Sequence, residues 1–493
     1  MADKTHSLAD LGLTARAGRE AQVTGLAVDS RAVKPNMLFA ALPGAAVHGA
    51  EFIQFALRMG ANAVLTDPLG AQLAADVLLG SNAAVVIVQD PRQALAYAAA
   101  LWFGAQPDTM VAVTGTNGKT SVANFTRQIW IALGHGAINI GTTGVEGSWE
   151  TPSPHTTPEP ITLHRMLADA AAAGVTHAAM EASSHGLDQR RMDGVRLRAA
   201  GFTNFTQDHL DYHHTFEAYF AAKAGLFDRL LPDDGVSVIN MDDPRGADIA
   251  AIADARGQRI ISVGHGAGND LRLLGQRFDA TGQDLRYSWG AQTHQLRLPL
   301  IGGFQADNVA LAAGLAIGSG SSPREVFAVL PQLQGVRGRM QLAARRANGA
   351  SVFVDYAHTP DALKTALKAL RPHVMGRIVV VFGAGGDRDT GKRPLMGAAA
   401  RDHADVLFVT DDNPRSENPA TIRAAIMAAC PDANEVGDRA EAILLGVDAL
   451  GPGDALLIAG KGHESGQTIA GNVYPFDDVE QASVAVAALD GGL

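Results

Sequence analysis

The segment Gly115–Ser121 has the composition of a loop that binds phosphate. It reads Gly-Thr-Asn-Gly-Lys-Thr-Ser, it follows an apolar strand predicted over Met110–Val113, and a helix is predicted to begin near Thr120. Backbone N–H groups in such a loop point at a phosphate, at the positive end of the helix dipole. Lys119 adds a charge for the β- and γ-phosphates, and the Thr120 hydroxyl adds a magnesium ligand. The loop is shorter than the full Walker pattern, but it predicts binding of a nucleoside triphosphate.

Glu181 and Lys223 are candidate partners of this loop. Glu181 follows an apolar strand predicted over His177–Met180, and a carboxylate at such a strand end is a suitable Mg²⁺ ligand. The alternative is a solvated glutamate beside a helix cap formed by Ser183 or Ser184. Lys223 lies in a predicted helix with few other charges, where a lysine whose stem crosses apolar surface is the simpler interpretation.

The segment Thr206–His214 contains two aspartates and three histidines. A zinc site is disfavoured because the spacing is not that of HExxH and the single cysteine, Cys430, is far away in sequence. With a phosphate loop present, Asp208 or His209 near a second Mg²⁺ is the favoured interpretation. The later histidines of the segment, His213 and His214, are expected at the surface.

Polar segments also follow predicted strands in the C-terminal third of the chain. In open α/β sheets, ligands bind beyond the carboxyl ends of the strands. Asp412, Arg415 and Glu464 mix charges that suit a substrate with both an amine and a carboxylate, and polar turns closed by proline are the alternative. Arg388 and Arg393 suit a carboxylate or a phosphate through paired hydrogen bonds. The segments are Asp355–Pro360, Gly383–Asp389, Asp411–Arg415 and Gly460–Glu464.

The elements that position these segments are alternating strands and helices, which indicate an α/β fold with parallel, doubly wound sheets. A chain of 493 residues is too long for one core. A linker is predicted over Gly104–Asp108. We therefore predict three domains, over residues 1–106, 107–335 and 336–493.

The composition favours an enzyme of the cytoplasm. A net charge of −11 without a basic run argues against a nucleic-acid partner. A single cysteine excludes an intrachain disulfide and indicates a reducing compartment. The N-terminus lacks the pattern of a signal peptide, and no stretch of about twenty apolar residues predicts membrane insertion.

Taken in order, these segments resemble the Mur ligases of bacterial cell-wall synthesis, from Asp29-Ser30-Arg31 to Gly460–Glu464. The resemblance implies an N-terminal domain that binds the UDP-MurNAc nucleotide. It implies a central, P-loop ATPase-like domain with a parallel sheet that binds ATP. It also implies a C-terminal, Rossmann-like domain that binds the incoming amino acid.

The resemblance carries individual residues onto this chain. It implies ATP contacts for Gly115, Thr116, Asn117, Gly118, Lys119, Thr120, Ser121, Asn308, Arg339, Asp355 and His358. For the UDP-MurNAc-dipeptide it implies Ser30, Thr156, Thr157, Ser183, Gln189 and Arg191. For meso-diaminopimelate it implies Arg388, Asp412, Asn413, Pro414, Arg415, Gly460 and Glu464. Metal ligation is implied for Thr120, Glu181, His209 and Lys223 as a carbamate, and catalytic roles for Lys119, Lys223, His209 and Glu181.

The added amino acid is indicated by the box Asp412–Arg415, which resembles that of ligases specific for meso-diaminopimelate. This acceptor carries a second carboxylate that an arginine binds through two hydrogen bonds. L-Lysine has no carboxylate there and would leave a buried arginine unpaired. The same ligase with L-lysine as acceptor is the alternative.

The implied reaction is an ATP-dependent amide ligation onto the D-glutamate side-chain carboxylate of UDP-MurNAc-L-Ala-D-Glu, with ATP and Mg²⁺ as cofactors. The implied protein is a monomer of the bacterial cytoplasm whose partners are small molecules. Because acyl phosphates hydrolyse, the third domain is expected to close over the second. A ligase like folylpolyglutamate synthase and a nucleotide-dependent switch protein are the competing functions.

Overall fold

The computed structural model describes residues 4–44, 47–153, 155–206, 208 and 210–491. The chain forms two compact units. The first comprises the residues up to Val263 together with Leu311–Ser322, and the second comprises Gly264–Ala310 and the residues from Pro323 onward. No helix in the described part of the chain is long and apolar enough to cross a membrane.

The first unit begins with a small α/β layer. Strands β3 to β6 pair side by side, all parallel, and β1 pairs with β2 in an antiparallel ribbon. Apolar residues of the strands pack against α4. The elements are β1 (His6–Ser7), β2 (Gln22–Val23), β3 (Leu26–Ala27), β4 (Leu38–Ala40), α1 (Ile53–Arg58), β5 (Ala63–Thr66), α2 (Pro68–Leu73), α3 (Ala75–Leu79), β6 (Ala84–Ile87) and α4 (Pro91–Phe103).

The rest of the first unit is built on a larger sheet with strand order β13-β12-β11-β7-β10-β8-β9. All pairs are parallel except the hairpin of β8 and β9. Its elements are β7 (Thr109–Thr114), α5 (Lys119–Ala132), β8 (Ala137–Gly141), β9 (Gly144–Gly147), α6 (Pro160–Ala172), β10 (His177–Glu181), α7 (Ser184–Asp188), β11 (Leu197–Phe202), α8 (Leu210–His213), α9 (Phe216–Gly225), β12 (Val236–Asn240), α10 (Gly246–Ala255) and β13 (Arg259–Gly264).

In this larger sheet, β7 lies at the point where the strand order reverses. β8 and β10 lie on one side of it, and β11, β12 and β13 lie on the other. The central strands are mostly apolar, with β7 buried from Met110 to Thr114, as expected for a sheet covered on both faces. Loops at the carboxyl end of β7 and of its neighbours therefore converge on one edge of the sheet.

The second unit contains an antiparallel three-stranded sheet and a six-stranded sheet of order β17-β18-β22-β19-β20-β21, parallel except for β17. Helix α11 begins in this unit and ends in the first. The elements are β14 (Leu271–Asp279), β15 (Gly282–Trp289), β16 (Gln292–Leu298), α11 (Phe304–Gly318), α12 (Pro323–Val329), β17 (Gln341–Arg345), β18 (Ser351–Asp355), α13 (Pro360–Leu370), β19 (Ile378–Phe382), α14 (Lys392–His403), β20 (Val406–Val409), α15 (Pro419–Met427), β21 (Asn434–Glu435), α16 (Arg439–Asp448), β22 (Ala455–Ala459), β23 (Gly466–Ile469), β24 (Asn472–Pro475) and α17 (Asp478–Leu489).

A buried ion pair joins the last two helices of the second unit. Arg439, at the start of α16, donates two hydrogen bonds of 2.8 and 2.7 Å to the carboxylate of Asp478, at the start of α17. Both side chains are completely buried. The same guanidinium donates to the carbonyl of Ala459 at the end of β22, 3.1 Å away. Its charge and most of its hydrogen-bond donors are therefore compensated inside the protein.

Replacing Arg439 with methionine is expected to lower the free energy of unfolding by about 3–5 kcal/mol, because it leaves the Asp478 carboxylate buried and uncompensated. The double variant Arg439→Met with Asp478→Leu removes both charges and is expected to recover most of that loss. Urea denaturation followed by circular dichroism measures both. Equal stability of the single and double variants would contradict this account.

Candidate active site

The loop after β7 has the geometry of a phosphate site. Helix α5 begins at Lys119, and the preceding Gly118 has the left-handed φ of 87° and offers no side-chain cap. Because no side chain of Gly118 accepts from the first turn of α5, that turn retains N–H donors for an anion. The loop therefore has the strand, turn and helix that the sequence predicts.

Two residues after β11 hold the loop in place. Asn204 accepts from the N–H of Asn117 at 2.9 Å and donates to its carbonyl at 3.2 Å. The Thr203 hydroxyl also donates to that carbonyl, at 2.6 Å. Neither residue is among the predicted site residues, although both are polar and directly follow a strand, as the predicted clusters do.

Lys119 and Lys223 share one acceptor. The ammonium of Lys119 donates to the carbonyls of Gly115 and Thr116, at 2.9 and 2.8 Å. The Nζ of Lys223 donates to the same Gly115 carbonyl at 2.6 Å. Two ammonium groups on one carbonyl oxygen repel each other, and the repulsion falls when either group loses its positive charge.

Lys223 is buried, with 1% of its surface exposed. Burial and the nearby Lys119 ammonium lower the pKa of Lys223 well below its ordinary value, and Asp208 opposes this shift. Its Nζ lies 4.6 Å from the centre of the Tyr219 ring. The simpler interpretation from sequence, a lysine with its head in solvent, is therefore wrong. Burial and the nearby ammonium both favour the uncharged amine, which is the nucleophilic form of a lysine side chain.

Glu181 lies beside the phosphate loop, because β10 pairs with β7 so that Glu181 is opposite Val113. The Thr120 hydroxyl donates to its carboxylate at 3.1 Å, and the backbone N–H of Thr142 donates at 2.8 Å. Glu181 has 2% of its surface exposed, so the alternative of a solvated glutamate is wrong. A Cβ at Gly141 would lie 2.0 Å from this carboxylate, which explains the glycine at that position.

These oxygen atoms fit a magnesium ion. Mg²⁺ binds through one or two protein oxygen ligands together with phosphates and waters, and the carboxylate of Glu181 and hydroxyl of Thr120 are hard ligands of that kind. Among the described residues, no three histidine, cysteine, aspartate or glutamate side chains form a metal cluster. His209, the predicted metal ligand of the next segment, lies outside the described residues.

The other histidines of that segment differ from each other. His214 is exposed, as predicted. His213 is buried, which corrects the expectation of a surface residue. Its ring packs 5.3 Å from Tyr219 and 5.6 Å from His185, and these aromatic contacts explain its burial.

The residues predicted for the muramoyl-dipeptide, apart from Ser30, form one hydrogen-bonded network. The Thr157 hydroxyl lies 3.0 Å from that of Ser183. Arg191 donates to the Thr157 carbonyl at 2.8 Å and to Gln189 at 2.8 and 3.2 Å. Burial lowers the pKa of Arg191. Thr156 is 3.0 Å from the Thr142 hydroxyl, which brings the network to the Glu181 carboxylate.

Ser30 is distant in sequence from this network and lies in the small N-terminal α/β layer. It begins a short 3₁₀ helix that Asp29 caps by accepting from the N–H of Arg31 at 2.9 Å. The same arginine holds the pKa of Asp29 down to about 2. Ser30 is buried, and its role in the uridine site stays a prediction.

The residues predicted to contact ATP from the C-terminal part of the chain lie in the second unit. Asp355 ends β18 and accepts from the N–H of Met340 at 2.6 Å, and burial raises its pKa. The Arg339 guanidinium lies 4.6 Å from the Tyr356 ring, which also contacts His358. Asn308 is on α11 and donates to Gln305 at 3.2 Å.

The residues predicted to bind the acceptor come together at the carboxyl ends of β20 and β22. Asn413 donates to Glu464 at 2.9 Å and accepts from the buried Lys461 at 3.1 Å. The N–H of Gly460 donates to the carbonyl of Asp355 at 3.1 Å, which connects this cluster to the predicted ATP residues. Lys461 is not among the predicted site residues, although its ammonium group lies inside the cluster.

The arginines of this region have different surroundings. The Arg415 guanidinium donates to the carbonyl of Gly386 at 2.7 Å. Arg388 is exposed on the same loop as Gly386, and no hydrogen bond joins it to the cluster within the described ranges. Arg393 is buried and pairs with Glu417 at 2.8 and 2.9 Å, so it serves the structure and is not available for a ligand. Pro414 accepts a backbone hydrogen bond from Glu417.

Three models of known sequence families match successive parts of the chain. The Mur ligase family catalytic domain matches residues 22–102, the Mur ligase middle domain matches residues 113–316, and the Mur ligase glutamate ligase domain matches residues 338–462. The chain belongs to the Mur ligase family. The resemblance inferred from the sequence motifs is therefore confirmed.

Individual relatives are similar over almost their whole length. The chain is 51% identical over 475 residues to UDP-N-acetylmuramoyl-L-alanyl-D-glutamate–2,6-diaminopimelate ligase of Caulobacter vibrioides, covering 95% of this chain and 96% of that protein. It is 51% identical over 471 residues to the ligase of the same name from Bradyrhizobium diazoefficiens, covering 95% of each. A solved structure of a ligase of that name is 33% identical, with a TM-score of 0.72 and 99% of each chain covered. The predicted α/β fold class is confirmed.

Proposed function

We propose that this protein is an ATP-dependent ligase that joins meso-diaminopimelate to the D-glutamate side-chain carboxylate of UDP-MurNAc-L-Ala-D-Glu. The observation that carries the proposal is the phosphate loop with the buried Glu181 carboxylate 3.1 Å from the Thr120 hydroxyl. The names of the 51% identical relatives support the same reaction. The product is a precursor of peptidoglycan.

The reaction proceeds in two steps. An oxygen of the D-glutamate side-chain carboxylate attacks the γ-phosphorus of ATP, the bond to the bridging oxygen breaks, and an acyl phosphate and ADP form. The uncharged amine of diaminopimelate then attacks the acyl carbon. The amine loses a proton, the C–O bond to phosphate breaks, and the amide and inorganic phosphate leave. Phosphoryl transfer of this kind depends on positioning and charge compensation more than on covalent help from the protein.

The residues of the first unit supply that compensation. Lys119 leaves the loop carbonyls that it contacts and binds the β- and γ-phosphates, while the first turn of α5 donates backbone N–H groups. Thr120 and Glu181 would hold Mg²⁺, which would neutralise phosphate charge there, and His209 is assigned to the same metal site. The network of Thr157, Ser183, Gln189 and Arg191 holds the dipeptide carboxylate for attack.

Lys223 is assigned as a carbamate. Its uncharged amine attacks carbon dioxide, one proton leaves the nitrogen, and a carboxylate forms on the side chain. The carboxylate is an anion near the Lys119 ammonium, and the attraction between the two charges favours it. The low pKa and the burial of Lys223 support the assignment.

The second unit is assigned to the acceptor. Arg415 binds the distal carboxylate of diaminopimelate through two N–H donors of its planar guanidinium. L-Lysine has no carboxylate at that position and cannot accept these hydrogen bonds. Asp412, Asn413 and Glu464 bind the distal amine, with Gly460 and Arg388 at the edge of the site. The three-domain division at residues 106 and 335 and a monomeric state are part of this proposal.

The test is ATP-dependent phosphate release with UDP-MurNAc-L-Ala-D-Glu, with meso-diaminopimelate compared with L-lysine. Release is expected only with diaminopimelate. Release with L-lysine would retain the ligase and overturn the choice of acceptor. Release without any amino acid would favour a switch protein, and release only with a folate substrate and glutamate would favour the folylpolyglutamate synthase alternative.

A further inference from the structure

Arg415 lies in strained backbone, and two of its neighbours share the strain. Arg415 and Asp387 both have a φ of 53°, and Ala470 has a φ of 48°. This left-handed region is unfavourable for residues other than glycine, and it persists only where surrounding contacts hold it. Strained residues of this kind cluster at sites where a side chain must be aimed. The contacts that hold the Arg415 backbone therefore identify the elements that orient its side chain.

The first set of contacts comes from the hairpin β23–β24. The N–H of Arg415 donates to the carbonyl of Thr468 at 3.0 Å, and the N–H of Ala470 donates to the carbonyl of Arg415 at 2.7 Å. Arg415 thus pairs with Ile469 as a one-residue parallel bridge at the edge of the hairpin. Both polar groups of its backbone are fixed by the hairpin.

The same hairpin holds the residues before Arg415. The side-chain amide of Gln467 donates to the carbonyl of Asp412 at 2.7 Å. The N–H of Thr468 donates to the side-chain oxygen of Asn413 at 2.9 Å. The hairpin therefore makes four hydrogen bonds to the box Asp412–Arg415, two to backbone at Arg415, one to backbone at Asp412 and one to the Asn413 side chain.

A second set of contacts comes from the loop that follows β19. The carbonyl of Gly386 accepts from the Arg415 guanidinium at 2.7 Å. The Asp387 carboxylate accepts from the backbone and the hydroxyl of Ser416, at 3.1 and 2.5 Å. A Cβ at Gly385 would lie 2.8 Å from the Arg415 guanidinium, so this loop leaves room for the side chain.

The hairpin does not belong to the hydrophobic core. Its outer strand is exposed along its length, and Val473 has 71% of its surface exposed. Nothing in the core of the second unit depends on the amide of Gln467, which reaches only the Asp412 carbonyl among the described hydrogen bonds. The hydrogen bond that its side-chain amide donates is to the acceptor box, which indicates a positioning role.

We propose that Gln467 and the hairpin β23–β24 are the positioning element for Arg415, and that they determine the affinity for the second carboxylate of the acceptor. The inference rests on the proposed function of Arg415. Binding groups act when second contacts fix their geometry to within about 0.5 Å. A box that loses its hairpin contacts relaxes out of the left-handed conformation, and the guanidinium moves away from the acceptor carboxylate.

The test is the substitution Gln467→Ala. Loss of one hydrogen bond is expected to raise the KM for meso-diaminopimelate about fivefold, with the KM for ATP and the kcat unchanged. The matched control is Asn472→Ala, which removes an amide from the exposed outer strand of the same hairpin. It is expected to leave all constants at the wild-type values. Equal effects of the two substitutions would overturn the inference.

A double-mutant cycle shows whether the hairpin acts through Arg415. Arg415→Ala is expected to raise the KM for meso-diaminopimelate at least about tenfold, since a charged pair is lost. Gln467→Ala in that background is expected to cause no further rise. Independent, multiplicative effects would overturn the inference while leaving the ligase intact. Failure of the wild-type protein to use diaminopimelate would instead overturn the proposed function.

Discussion

Replacing Lys119 with alanine is expected to lower the rate of ATP-dependent phosphate release by about a thousandfold, since one preorganised charge at the transferring phosphoryl group contributes on this order. The structure places the Lys119 ammonium on the carbonyls of Gly115 and Thr116, at the mouth of the phosphate loop. Its removal leaves the loop backbone intact, because Asn204 and Thr203 hold that backbone from β11. The expected loss is therefore of catalysis and not of folding.

Single-turnover phosphate release with saturating substrates measures this effect, and the thermal midpoint checks the fold. Lys119→Arg is the matched control, because it keeps the charge but replaces a compact ammonium with a planar fork. We expect it to retain more activity than alanine but less than the wild type. Near-normal release by Lys119→Ala would refute the phosphate-loop assignment.

Several of the parallel strands are predictable from the sequence because they are short, continuous apolar runs. Three strands, Val236–Asn240, Ile378–Phe382 and Ala455–Ala459, have the bounds that their apolar residues predict. Such runs are typical of parallel strands buried on both faces. The same rule placed polar clusters at strand ends, and the structure brings Glu181 to the phosphate loop in this way.

The antiparallel elements were not predicted. Strands β14 to β16 mix buried, half-buried and exposed residues, β23 is half-buried over most of its length, and β24 is exposed. Neither pattern is a continuous apolar run. Apolar runs in the sequence therefore do not predict the hairpin that holds Arg415, although the hairpin contacts the predicted acceptor site.

The sequence also does not predict which distant residues form hydrogen bonds with each other. The sequence offered Arg388 and Arg393 as equivalent, and only the structure shows that Arg393 is committed to Glu417. Residue type gives the chemistry that a side chain can do. Burial and partners decide whether it is available to do it.

The second large expected effect is a loss of activity when Lys223 is replaced. Lys223→Ala is expected to lower kcat by about a hundredfold, the size of loss found when a group that supports a metal ligand set is removed. The substitution breaks no salt bridge, because in the described part of the chain the Lys223 amine contacts the Gly115 carbonyl and the Tyr219 ring. Thermal denaturation is expected to show a folded variant.

The experiment that separates a carbamate from a plain amine is chemical rescue. A carbamate is a carboxylate, so acetate or formate is expected to restore part of the activity of Lys223→Ala, and methylamine is not. Lys223→Met, which fills the space, is expected to resist rescue by either. If methylamine and not acetate rescues the alanine variant, Lys223 functions as a free amine in the wild-type enzyme. Removal of carbon dioxide from the wild-type enzyme should then have no effect. If Lys223 is carbamylated, the same treatment is expected to lower the activity reversibly, because decomposition of the carbamate removes the carboxylate that supports the metal ligands.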